Sequence, residues 1–249
     1  PVLAETLGLP LSLASHVDAM AGAELLLGAR RLGGSADVIG AGSAIRGTRT
    51  TAAGASRHSA PATSLYVYAR ETVGYALSIG GRVHSPTSGP GTIAALPVQS
   101  ELLGGTGQLE STVSDEAVLT AARKLRIVPT DGPASTIGGV LRSARQGNQA
   151  AVELLSERAR VLGEAVALLR DMLNPDDLVV GGQAFTEYPE VMADVEAAYG
   201  KRSVLAPRDI RITSFGNRVQ EAGAGVVSLG GLYADPIAAM RRAVRDKTA

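Results

Sequence analysis

Gly181 and Gly182 stand directly after the apolar run Leu178-Val179-Val180. A short run of that kind reads as a strand buried on both faces. Glycines at its carboxyl end leave the backbone bare, so a ligand can come close to the main chain. In open α/β sheets, ligands sit at that end of a strand. The chemistry on offer is the binding of a nucleotide or a sugar. The same residues also fit an ordinary glycine turn in an α/β core. A second set of candidate contact residues is Arg46, Arg49 and Arg57, in a stretch with little hydrophobic periodicity. Cysteine is absent, which excludes disulfides and thiolate metal ligands.

The elements that must position the glycines lie on either side of them. From about Gln149 to Met172, Leu154, Leu155, Val161, Leu162, Ala165, Val166, Leu168, Leu169 and Met172 recur at helical spacing on one face. Asn174-Pro175 ends that helix, because a proline disfavours helical geometry in the residue before it. Earlier in the chain, Leu11 to Ala14 alternates weakly and reads as a strand. Ser15 is placed to cap a helix over 16–31, closed by Gly33-Gly34. Leu65–Ala69 and Val73–Ile79 are strands by their β-branched and aromatic content. Gly80-Gly81 turns the chain into a third strand at 82–84. The glycine-rich stretch 85–107 reads as loop. Helices are expected at 114–125, capped by Ser114, and at 134–145. Another helix is expected at 189–199, then a strand at 210–213 and helices at 219–232 and 236–245. Strands in series followed by alternating helices and strands predict an α/β lobe.

The chain has 249 residues, of which 45% are hydrophobic, enough for a sizeable core. Lys+Arg and Asp+Glu are 24 each, so net charge gives no general footprint for nucleic acid. No apolar run reaches the roughly 18 residues of a membrane span, and no signal peptide precedes the first helix. A cytoplasmic protein without membrane contact is the expectation. The chain begins at Pro1 rather than at methionine, which reads as a processed or truncated protein. Residues 38–63 read as a mobile surface insertion, or else as a contact loop bearing the three arginines.

The order of these features is similar to that of a known family. It comprises a helix carrying Glu24, a strand hairpin, a glycine-rich loop ending Gly107-Gln108-Leu109-Glu110, the long helix, and Leu173-Asn174-Pro175 to Gly181-Gly182. A late Gly223-Ala224-Gly225 helix then ends at Leu232-Tyr233-Ala234-Asp235-Pro236. This resembles the ROK family of repressors, open reading frames and sugar kinases. The resemblance implies an α/β chain with the actin-like ATPase (ribonuclease H-like) fold, mainly its C-terminal lobe. It divides the chain into a remnant of the N-terminal lobe at 1–37, the insertion at 38–63, the lobe at 64–234 and a C-terminal helix at 235–249. The family's D-x-G-x-T phosphate loop and its regulators' winged helix-turn-helix have no match here.

The same resemblance places the family's sites on residues of other types. The kinases' sugar-holding Asn-Asp pair, whose Asp is the general base, falls on Ser15-His16. A histidine can act as a base, although the position also suits a residue beside a helix cap. Asp18 lies on another face of the helix. The phosphate-binding G-T-G turn falls on Arg70-Glu71-Thr72, with Gly74 the glycine that remains after it. The sugar-binding Glu and zinc-binding His fall on Thr92 and Ala95. The other zinc positions fall on Glu101, Leu103 and Gln108, a set that cannot make a structural site. Glu110, which helps to hold the sugar, is retained, though such a carboxylate also serves as a cap or surface group.

The expectation is therefore the effector-sensing and oligomer-forming part of a ROK-type transcriptional regulator. Its degenerate sugar site would comprise Ser15, His16, Gly74, Thr92 and Glu110, with Gly181 and Gly182 as nucleotide-crest glycines. No catalytic residue, cofactor or metal is expected. The partners expected are a second copy of the chain, a sugar-like effector, and DNA only through a module absent from this chain. The alternatives are a sugar kinase lobe and a pseudo-enzyme interaction scaffold.

Overall fold

The computed structural model describes residues 14–28 and 62–234, apart from 87–88 and 90, with a few isolated positions nearer each end. The expected strand at 11–14 lies outside the described residues except for Ala14. The insertion is outside up to residue 61, with Arg46, Arg49 and Arg57, and so is much of the helix expected at 236–245.

Helix α1 (His16–Ala23) runs into a single π-helical turn, Glu24–Gly28. Strands β1 (Thr63–Ala69), β2 (Val73–Ile79) and β3 (Arg82–Val83) form an antiparallel meander. Strands β4 (Pro97–Ser100) and β5 (Gly105–Gln108) make a separate hairpin. Helices α2 (Leu109–Val113), α3 (Asp115–Lys124), α4 (Ile137–Arg145) and α5 (Gln149–Leu173) follow. Then come β6 (Asp177–Gly181), α6 (Gln183–Glu187), α7 (Met192–Arg202), β7 (Ile210–Ile212) and α8 (Val219–Ala234). The main sheet has the order β3-β2-β1-β6-β7, with β6 parallel to both β1 and β7.

The period-two alternation of the central strands sorts their side chains between two layers. Leu65, Val67, Ala69, Leu178 and Val180 join the core formed with α2 to α7. Tyr66, Tyr68 and Val179 join a smaller core with Val17, Met20, Phe215 and Val219, on the side of α1 and α8. Leu178-Val179-Val180 is thus buried on both faces, as the apolar run predicts. Burying each such side chain contributes about 1.5–3 kcal/mol.

Three local expectations need correction, and one short helix was not anticipated. The stretch 85–107 contains the β4–β5 hairpin. Its strands carry few apolar residues because other elements hold it: Leu103 at the turn is buried, and Arg160 on α5 donates to the Gln99 carbonyl at 2.9 Å. The five-residue α2 is too short to show a period, yet it buries Leu109 and Val113. Ser15 precedes α1, but its hydroxyl makes no capping bond; its carbonyl accepts from the Ala19 N–H at 2.9 Å. The helix over 16–31 does not stay α-helical, because Glu24 is drawn toward the end of β7. There it accepts from the Ser214 N–H at 2.6 Å and from Arg211 at 2.9 Å. π-Helix is rare and occurs mostly as single turns of this kind.

Asn174 ends α5 in the left-handed conformation, φ 45°, with its N–H on the Arg170 carbonyl at 2.9 Å. Asparagine tolerates that geometry, and Pro175 follows as it commonly does after such a cap. The crossing of α5 and α7 depends on Gly163, where a Cβ would lie 2.4 Å from the Val195 carbonyl oxygen. Gly225 on α8 has nothing within 4 Å of that position. Gly163→Ala should therefore lose about 1–3 kcal/mol through overpacking. Gly225→Ala should gain about 0.5–1 kcal/mol from helix propensity. Urea unfolding of the two variants checks this, and equal shifts would show that the α5–α7 contact is loose.

Candidate functional site

The site is built where β1 ends. Arg70, Glu71 and Thr72 form the turn into β2, closed by the Arg70 N–H on the Thr72 carbonyl at 3.0 Å. Arg70 pairs with Glu71 at 3.1 Å. The first amide after the turn, Val73 N–H, donates to Glu110 Oε2 at 2.9 Å. Glu110 is placed by α2, whose entry is fixed by two backbone bonds: Leu109 N–H to Leu96 at 2.8 Å and Glu110 N–H to Ala94 at 3.0 Å.

His16, the first residue of α1, stands over the same turn. Its Nε2 lies 3.3 Å from Thr72 Oγ1, and its ring meets Tyr68 edge to face at 5.6 Å. The Tyr68 hydroxyl accepts from Gln220 Nε2 at 3.1 Å. Burial raises the Tyr68 pKa, and the hydrogen bond with Arg70 works against that rise. Asp18 turns away from this group and accepts from the Ser85 hydroxyl at 2.9 Å. Thr92 is exposed; its hydroxyl accepts from the Ala94 N–H at 3.1 Å. The chain of contacts His16–Thr72–Val73–Glu110–Ala94–Thr92 thus runs along one strip of the molecule.

Gly74 serves packing at this place. A Cβ there would lie 3.1 Å from Val17 Cγ2, so the glycine admits α1 against β2. The crest glycines have similar local causes. A Cβ on Gly181 would lie 2.2 Å from the Tyr66 hydroxyl. Gly182 has φ +135°, and a Cβ there would lie 2.2 Å from the Ala69 carbonyl oxygen. Both glycines therefore let β6 lie close to β1, at the carboxyl end of the parallel pair.

Below the turn lies a group that periodicity alone passes over. Arg158 of α5 is 1% exposed. Its Nη2 donates to Asp115 Oδ1 at 2.7 Å, and its Nε donates to the Val113 carbonyl at 2.8 Å. A longer bond at 3.4 Å reaches the Ala69 carbonyl, the same one that faces Gly182. The guanidinium stands 5.5 Å from the centre of the Phe185 ring on α6, within range of a cation–π contact. Burial lowers the Arg158 pKa, and the Asp115 carboxylate opposes that. The two halves of the site, the turn with His16 and the crest with Gly182, meet through Ala69. The signal that could have found Arg158 is its position, four residues after Leu154 and four before Leu162, inside the apolar stripe. A charge there is costly unless paired.

No group of three or more His, Cys, Asp or Glu side chains able to hold a metal occurs among the described residues. Of the positions matched to the family's zinc ligands, Leu103 is buried in the main core. No helix among the described residues is long and apolar enough to cross a membrane.

Removing one partner of a buried pair leaves an uncompensated charge or acceptor, at a cost of about 3–5 kcal/mol. Asp115→Ala and Arg158→Met should each lose stability on that scale. The double variant should lose less than the sum of the two, by about 0.5–3 kcal/mol. Urea unfolding of the four proteins makes the measurement, and strict additivity would show that the pair is not coupled.

No family model matches this sequence. Transcriptional regulators of Mycobacterium tuberculosis and Mycobacterium bovis are 67% identical to it over 97% of this chain. The chain spans about half the length of these curated relatives, 51% of each. Among solved structures, a ROK family glucokinase from Streptomyces griseus, in complex with glucose and AMPPNP, superposes with TM-score 0.67 at 17% identity, over 91% of this chain and 70% of that one. A ROK hexokinase from Thermus thermophilus gives TM-score 0.63 at 22% identity, over 91% and 69%. A ROK family transcriptional regulator, a homologue of the Escherichia coli MLC protein, gives 0.61 at 19% identity, over 90% and 53%. At such identities the likeness is one of fold, and that fold is the actin-like one. This chain thus shares the fold of ROK sugar kinases and of a ROK transcriptional regulator, and by sequence it is a relative of mycobacterial transcriptional regulators.

Proposed function

We propose that the chain is the effector-sensing and oligomer-forming part of a ROK-type transcriptional regulator, with a degenerate sugar site and no kinase activity. The observation that carries this reading is the closed β1–β2 turn. Phosphate binding by a turn of this kind uses main-chain N–H groups left free as donors. Here the Val73 N–H is taken by Glu110, and the Arg70 N–H by the Thr72 carbonyl. Glu71 sets a carboxylate at the turn, and its pairing with Arg70 at 3.1 Å takes up the cation that could otherwise attract phosphate. Phosphoryl transfer rests almost wholly on positioning and charge stabilisation, and this turn offers little of either. The mycobacterial relatives named as transcriptional regulators support the same reading.

The sugar-facing residues in this reading are Ser15, His16, Thr92 and Glu110. A hexose needs several converging polar groups, since each buried polar group left unpaired costs about 1–3 kcal/mol. One Glu110 oxygen is committed to Val73, and the Thr92 hydroxyl is engaged with Ala94. Any effector is therefore held weakly, and Gly181 and Gly182 serve the sheet crest. The regulator works in the cytoplasm as a homodimer, bound to DNA through a module outside this chain.

The second reading, a sugar kinase lobe, has one observation in its favour: His16 stands at the turn, 3.3 Å from Thr72, where a base could serve. A coupled ADP assay on the full-length protein separates the two, with glucose, N-acetylglucosamine and N-acetylmannosamine in the presence of magnesium. The expected result is no turnover on any sugar. Turnover that His16→Ala abolishes would restore the kinase.

A further inference from the structure

Between α5 and α7 lies a groove of about 560 Å³. Its floor is made of small residues, Ser156 of α5 with Ala197 and Ala198 of α7. Small side chains at a helix contact let a further helix come close. Leu102, in the turn of the β4–β5 hairpin, stands at one wall and is 40% exposed. The charges along the groove follow one pattern. On α5, Glu153 is followed seven residues later by Arg160; on α7, Asp194 is followed seven residues later by Lys201. Seven residues make two turns, about 10.5 Å along a helix. The two helices run in the same direction. Gly163 lies against Val195, and eight residues further along each helix Asp171 accepts from the Ser203 hydroxyl at 2.7 Å. Arg160 is already bound to Glu157, which also lines the groove, and to Glu164. The Glu153 carboxylate accepts from the Gln149 side-chain amide at 3.1 Å. Among the described residues, Glu153, Asp194 and Lys201 have no ion-pair partner.

We propose that a second copy of the chain seats on this groove across a two-fold axis, with α5 of one copy antiparallel to α7 of the other. The proposal rests on the homodimer reading and adds the face and its register. A two-fold contact sets residue i against j and j against i. Because α5 and α7 are parallel within each copy and share one acid-to-base spacing, the inverted copy matches both helices at once. It brings Lys201 of the partner subunit over Glu153, and Asp194 of the partner subunit over Arg160. Arg160 keeps its own two carboxylates, so the pair newly formed is that of Glu153 with Lys201 of the partner subunit. Exposed ion pairs add little affinity singly. They fix the register, while Leu102 and the alanine floor supply the apolar contact. The chain's own remaining segments match the groove less well. Residues 1–13 include Glu5 and neither Lys nor Arg, so they offer Glu153 no cation. Residues 29–61 carry five arginines and one aspartate, which sets like charge against Lys201. These two segments and residues 235–249 leave the described residues from the α1 and α8 side of the main sheet, opposite to α5 and α7.

The test uses the full-length protein. Sedimentation equilibrium gives the dimer Kd for Glu153→Lys, for Lys201→Glu and for the two together. Both positions are exposed, so circular dichroism should be unchanged. Each single reversal sets like charges together twice per dimer and should weaken it at least about tenfold. The double exchange should return the Kd to within about threefold of the unaltered protein. A second measurement does not depend on affinity. This chain has no cysteine, so Glu153→Cys and Lys201→Cys proteins are mixed and oxidised. The expected product is a disulfide joining the two positions on different copies, located by mass spectrometry and absent when either protein is oxidised alone. Reversals that weaken the dimer without rescue by the exchange would overturn the register. A dimer that ignores both reversals and gives no such disulfide would overturn this face and leave the homodimer standing. A monomer at micromolar concentration would overturn the face and the homodimer together.

Discussion

A guanidinium buried at the end of β1 is the interaction on which the rest of the site depends. Arg158 reaches from the middle of α5 and holds Asp115, the Val113 carbonyl and the Ala69 carbonyl together. These three belong to the start of α3, the end of α2 and the last residue of β1. Taking a charge out of water costs several kcal/mol per ion, so the arrangement persists only with its partners in place. The aromatic face of Phe185 adds a contact from α6. One side chain thereby joins the long helix, the β1–β2 turn and the crest after β6.

The consequence is a turn in which the Arg70 and Val73 N–H groups are spent internally. Asp115 also donates its own N–H to the Arg70 carbonyl at 2.7 Å, so the carboxylate that pairs with Arg158 belongs to a residue that fastens the turn. Glu110 fastens the other end through Val73. The β4–β5 hairpin is held in a comparable way, by the buried Leu103 and by Arg160, itself fixed between Glu157 and Glu164 at 2.7 Å to each. Across the sheet, Glu24 and Arg211 do similar work: Arg211 contacts both Glu24 and Asp177 at 2.9 Å, binding the π-turn after α1, β6 and β7. The polar cohesion of this lobe comes from side chains that reach distant backbone.

Long periodic elements were legible in the sequence because their burial is periodic. The stripe of α5, the run of β6 and the alternation of β1 and β2 each have a single packing face or a strict two-face pattern. The elements missed were those whose stability comes from elsewhere. The β4–β5 hairpin has few apolar residues of its own, and the π-turn at Glu24 answers to the backbone N–H of Ser214, almost two hundred residues away, which donates to the Glu24 carboxylate. At the site, the resemblance led to His16 and Glu110, and both stand beside the turn. It could not supply Tyr68, Asp115 or Arg158, whose roles arise from contacts between elements distant in sequence. Gly74, Gly181 and Gly182 were read from the chain as places for a ligand; each also has a close neighbour within the fold that accounts for a missing side chain.

The central claim is the proposal that the β1–β2 turn, with its Arg70 and Val73 amides already bonded within the protein, does not hold phosphate. The direct measurement is a titration of the full-length protein with AMPPNP and magnesium, followed through the amide signals of Arg70, Glu71, Thr72 and Val73 by nuclear magnetic resonance. The account predicts no saturable change at these amides, with the Val73 signal retaining the shift of a carboxylate-bonded N–H. Saturable binding that moves the four amides together, and frees Val73 from Glu110, would contradict it.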